Sequence, residues 1–124
     1  MSTKPNAVVA PFTAGADLSA KQYYGVKLHT TEGQVVLAGD ADEAIGVLDN
    51  VGAVSGQPVS VVVGGGTKAI ASGALAIGTK VNFDANGKLQ SASATEFYIG
   101  RLIEPALADG DIVALIIEKG FVPA

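Results

Sequence analysis

The chain has 124 residues and a mass of 12.4 kDa, with a net charge of −4 and a sequence pI near 4.7. That length fits one domain, burying about 65% of its unfolded surface on folding. An acidic chain with scattered single lysines and arginines has no basic stripe for nucleic acid, and zero cysteines with one histidine exclude disulfides, thiolate catalysis and ordinary zinc sites.

Apolar residues make up 48% of the chain, mostly Ala and Val, and sixteen residues are Gly. This composition suits short strands joined by tight turns, so an all-β fold is expected. No apolar run reaches the length of a membrane span. The opening MSTKPNAVVAPF lacks the apolar core of a signal peptide, so the protein is expected to be made in the cytoplasm.

Met1 to Ala16 holds Pro5 and Pro11, which discourage helix and central strand alike. One reading of residues 1–16 is a frayed tail. The sharper one is an extended N-terminal arm outside the core, with Val8, Val9 and Phe12 as apolar anchors for a neighbouring surface. On either reading, removing residues 1–16 leaves the β fold intact.

The rest, residues 17–124, reads as a single β domain. Asp17–Leu28 is expected to be a turn leading into a strand. Val26–His29 and Gln34–Leu37 flank Thr30-Thr31-Glu32-Gly33, and Lys80–Phe83 and Lys88–Gln90 flank Asp84-Ala85-Asn86-Gly87. Both are hairpin patterns, because Gly, and Asn before it, tolerate positive φ. Gly39–Glu43 is an acidic loop; it lacks the glycine and distant glutamate of a calcium-binding EF-hand and reads as solvated. Pro58–Val63 and Asp111–Lys119 are the most strand-like runs, the second needing cover on both faces.

The chain writes one stretch twice. Ile45, Gly46 and Leu48 recur as Ile99, Gly100 and Leu102; Gly56 and Val59 recur as Gly110 and Val113; Gly66 recurs as Gly120. The offset is constant, since 99 − 45 and 120 − 66 both equal 54. It extends upstream to Gly33 with Gly87, Ala38 with Ala92 and Ala20 with Ala74. Two related modules follow, over residues 17–66 and 71–120, predicting a compact barrel or sandwich of pseudo-twofold character.

Nothing in this pattern carries catalysis. His29 has no nucleophile motif near it, and the carboxylates show no acid–base spacing. No catalytic, cofactor-binding or metal-ligating residue is assigned, and no cofactor. Gly64-Gly65-Gly66-Thr67-Lys68 departs from the phosphate-loop order and is followed by strand and turn, so it reads as a flexible turn between the modules. Lipoyl and biotinyl carrier domains are also small, duplicated β structures, with a modified lysine at a hairpin tip. Lys68 is the candidate for that alternative, although only Ala69 matches the carrier motifs.

Taken together, the turn into Gly25-Val26-Lys27-Leu28, the Gly33 hairpin, Ile45-Gly46-Val47-Leu48 and Gly56–Val63 resemble the small capsid cement, or decoration, proteins of tailed bacteriophages. So do Ala71–Val81, Asn86-Gly87, Ile99-Gly100-Arg101-Leu102 and the closing Asp111–Ile117. The resemblance spans about Ala16 to Lys119 and lies in pattern rather than in a signature residue. It implies a structural virion protein on the outer face of the head shell, bound to the major capsid protein, commonly as a homotrimer. It also implies an N-terminal arm lying along the shell or a neighbouring subunit, with Val8, Val9 and Phe12 as its contacts by position. Neither nucleic acid nor membrane is an expected partner. Another small phage component, for tail or head completion, is the alternative within the structural class.

Overall fold

The computed structural model describes residues 7–49 and 53–123. Nine strands make up its regular structure: β1 Val8–Ala14, β2 Gly25–Leu28, β3 Gln34–Leu37, β4 Gly46–Leu48, β5 Pro58–Ile70, β6 Lys80–Phe83, β7 Leu89–Ser91, β8 Phe97–Leu102 and β9 Ile112–Phe121. There is no helix among the described residues. Short β-branched runs between glycine turns leave few stretches long enough to nucleate one.

The first five strands close on themselves. β1 pairs with β3 in parallel, β3 with β2, β2 with β4 and β4 with β5, and β5 returns antiparallel to β1. Their order makes a five-stranded barrel, which removes the exposed edges that a small sheet would present. Inward-facing Ala14, Val26, Val35, Leu48, Val59 and Val61 fill it. Each fully buried Val or Leu contributes about 1.5–3 kcal/mol.

The second module repeats the circuit. The far half of β5 pairs with β9, β9 with β8, β8 with β6 and β6 with β7. A parallel bridge from Ala71 to Leu89 completes the ring, matching the parallel Ala14–Val35 pair of the first barrel. Gly33 and Gly87 turn their hairpins at φ +75° and +78°, and Gly56 and Gly110 match at +88° and +94°. In the second hairpin Gly87 N–H bonds Asp84 O at 3.0 Å, and the Asp84 carboxylate accepts from the N–H groups of Asn86 and Lys88. Among the hairpin residues 84–87, Gly87 alone has positive φ, so Asn86 works through ordinary turn geometry.

The duplication expected from sequence is therefore the plan of the fold, with two corrections to its boundaries. Tyr23 and Gly78 are counterparts, each donating its N–H to the Gly-x-Leu strand of its module, at Leu48 O and Leu102 O. The connection before Gly25 is two residues longer than the one before Lys80, measured from Ala14 and Ala71. Ala20 and Ala74 are thus not equivalent.

The second correction concerns residues 8–14. Expected as part of an arm outside the domain, they form β1, the strand that closes the first barrel, and Ala14 is fully buried. Pro11 misleads because it lies where β1 has β5 on one side only: β3 covers just Thr13 and Ala14. At an open edge a missing N–H breaks no ladder bond. Residues 1–6 of the expected arm lie outside the described residues.

Gly64-Gly65-Gly66, expected as a turn, lies inside β5, which runs unbroken from one barrel into the other. Gly65, at φ +76°, supplies the bend that a side chain would resist. Lys68 consequently sits in mid-strand opposite Ala114, half-buried, rather than at a hairpin tip. The carrier-domain alternative loses its geometric basis there.

The barrels are fused, not merely tethered. Phe83 is fully buried with its ring against Gly25, and Gly25 N–H bonds Gly87 O at 2.9 Å. Ala41 N–H reaches Phe83 O at 2.8 Å, and Ala38, Ala44 and Val47 of the first module join the core of the second.

Candidate interaction surface

A groove of about 730 Å³ lies between the modules, with Leu28 and Ile45 on one side and Phe97, Tyr98 and Phe121 on the other. Most of its lining comes in equivalent pairs, Leu28 with Phe83 and Ala44 with Tyr98, so it straddles the pseudo-twofold relation. Phe83 forms part of its lining and is inaccessible; Phe97 and Phe121 stand 41% and 50% exposed. The last two are register partners on β8 and β9, packed edge to face with centroids 5.1 Å apart. Tyr98 lies over Gly120, where a Cβ would meet its ring.

Polar groups around the groove are satisfied. Buried Asn82 donates to Phe97 O at 3.0 Å and to Glu96 Oε1 at 3.1 Å, and accepts from Gln90. Gln90 also donates to Asp40 across the module boundary at 2.8 Å. Within the acidic loop, Asp42 takes a hydrogen bond from Lys27 and another from Gly39 N–H, which together hold its carboxyl below the usual range. His29 is half-buried and accepts the Thr31 N–H. Every described buried side-chain N or O atom has a hydrogen-bond partner.

The duplication supplies an internal control for the surface. The same barrel folds twice, so an apolar residue exposed in one copy and replaced by a polar or turn residue in the other is not demanded by the fold. Ile103 and Ile112 are 47% and 49% exposed; their counterparts are Asp49 and Pro58. Phe97 answers to Glu43, and Ile77, 63% exposed, to Gln22. Ile103 and Ile112 line one shallow depression with Pro105 and Leu107, the last 80% exposed. Exposed apolar residues concentrated in this way mark contact surfaces.

Of the three residues singled out from sequence, Val8 and Val9 are 56% and 48% exposed on β1. Phe12 packs against the core of the first barrel. The residues of the second module were not singled out in advance; comparing the two copies position by position is the signal that finds them.

A family model described as phage cement protein matches residues 25–117, three quarters of the chain. Comparison with curated proteins yields no match. Among solved structures, the chain is similar to the head fiber gp8.5 N base of bacteriophage phi29. The TM-score is 0.72 at 15% identity, covering 95% of this chain and 99% of that one.

Proposed function

The chain belongs to the phage cement protein family and is a capsid-binding structural protein of the virion; on that premise we propose that it sits on the outer face of the head shell as a homotrimer, bound to the major capsid protein, and stabilises the shell. The observation that carries this reading is the set of exposed apolar residues in the second module, Phe97, Ile103, Leu107 and Ile112, of which Phe97, Ile103 and Ile112 have polar or turn counterparts in the first. Val8 and Val9 add a second apolar contact on β1.

The chemistry of the role agrees with the surface. A cement protein acts by binding, and modest interfaces repeated over a lattice reach high avidity without a deep pocket. Two barrels fused through β5 and Phe83 give a rigid body, so little ordering entropy opposes docking.

The test is a heat challenge of purified heads that lack the protein, with and without its addition. Added protein is expected to raise the temperature at which the heads release their DNA. Release at the same temperature, with protein bound, would reject the stabilising role.

A further inference from the structure

We propose that β1 is exchanged between copies of this chain, so that the first barrel of one protomer is closed by the β1 strand of another. The proposal rests on the self-association part of the reading above, and names the element that joins the copies.

The slot that β1 fills exists twice. In the second barrel its occupant is residues 65–70, the far half of β5, which crosses directly from the first module with no intervening loop. That barrel is thus already closed by a strand delivered from outside its own module. In the first barrel the same slot holds β1, whose Ala14 bridges Val35 as Ala71 bridges Leu89. The architecture accepts a donated strand, and a second copy of this chain carries one with the required sequence.

The connection that ties β1 to its own barrel is strained where its counterpart is not. Residues 15–24 include Ala20 at φ +59° and Tyr23 at φ +73°, a left-handed conformation that non-glycine residues avoid. At the position equivalent to Tyr23 the second module has Gly78, at φ +80°, which bears no such penalty. A strained hinge favours the extended, exchanged form.

The N-terminal end of β1 is not tied down by a neighbouring strand beyond β5. Val8 lies opposite Gly64, while Ile117 of β9 lies opposite Gly65, and there β9 turns away alongside β8. β1 can leave as a unit, and every ladder bond it makes with β5 is remade in the accepting copy. Leu18, buried in the same core, travels with β1, and only residues 19–24, which hold both left-handed positions, change course. A closed set of copies, each donating to the next, leaves no slot empty.

The test uses the full chain, which has no natural cysteine, carrying Pro11→Cys and Ser60→Cys at register partners on β1 and β5. The purified protein is sized by light scattering, oxidised, and run on a denaturing gel without reductant. The expected result is an oligomer whose disulfides join chains, with most of the protein in bands of two or more. An oligomer with disulfides confined within chains overturns the exchange and leaves self-association standing. A monomer with internal disulfides overturns both. If that pair disturbs folding, Ala10→Cys with Val61→Cys asks the same question. Tyr23→Gly, by relieving the hinge, is expected to raise the monomer fraction several-fold, and an unchanged fraction counts against the hinge.

Discussion

Gly46 and Gly100 hold one and the same position in the two barrels. A Cβ on Gly46 would overlap the carbonyl oxygen of Val62, and a Cβ on Gly100 that of Ile116, the register counterpart of Val62. The obstacle is backbone in both cases and cannot rotate away. Gly46→Val and Gly100→Val should each cost about 3 kcal/mol or more, measured by chemical denaturation. Loss at one site with tolerance at the other would contradict the equivalence of the modules.

Phe83 ties the barrels together by filling the space beside Gly25. Phe83→Ala should destabilise by about 3–5 kcal/mol, the range for a buried aromatic. Gly25→Ala should cost about 1–3 kcal/mol, because the ring must move within a packed core. A two-step unfolding curve for Phe83→Ala, with its first barrel melting alone, would confirm that this contact couples the modules; a negligible loss would show that it does not.

Removing residues 1–14 takes away β1, its ladder with β5 and the buried Ala14. The expectation from sequence alone, that the fold survives removal of residues 1–16, gives way to the opposite one. The truncated chain should show a markedly lower melting temperature or fail to fold, by circular dichroism. A melting temperature within a degree or two of the full chain would remove β1 from the barrel.

The strands and hairpins were legible in sequence because their signals are local: alternating Val and Ile, and glycines at Gly33, Gly56, Gly87 and Gly110, where positive φ is required. The duplication was legible because those glycines keep their spacing. β1 was not, because proline argues against a strand unless its open edge is known, and that edge is set by pairing with β5 some fifty residues away. The Gly64–Gly66 run misled for a similar reason: three glycines normally mark a loop, and only tertiary structure shows a strand bending between two barrels. Phe97 and Ile103 carried no signal of their own, and Ile112 falls in a run expected to be covered on both faces, since a strand pattern does not tell which face meets solvent.

Asp42 gives the pH dependence a sign. Hydrogen bonds from Lys27 and Gly39 lower its folded-state pKa, so its contribution is present above the unfolded value of about 3.9 and is lost as pH falls through the folded one. Lys27 and Asp42 side chains are 38% and 35% exposed, which limits the effect to under about 1 kcal/mol. As the pH falls below about 4 the natural chain should lose more stability than Asp42→Asn. Parallel losses would show that the pair is energetically silent.

Ile103→Ser and Ile112→Ser alter exposed positions whose counterparts are Asp49 and Pro58, so folding should tolerate them. Binding to heads should weaken by about tenfold or more for a residue at the centre of the contact. Unchanged binding by both variants, at unchanged melting temperature, would move the contact elsewhere.

Trimers seated on the shell are tested by titrating the purified full chain onto phage heads that lack it, with bound protein counted after sedimentation. The expected result is saturable binding that levels at a whole multiple of three copies per site on the shell. Protein left in the supernatant at every concentration, or bound in unsaturable proportion to what is added, would contradict it.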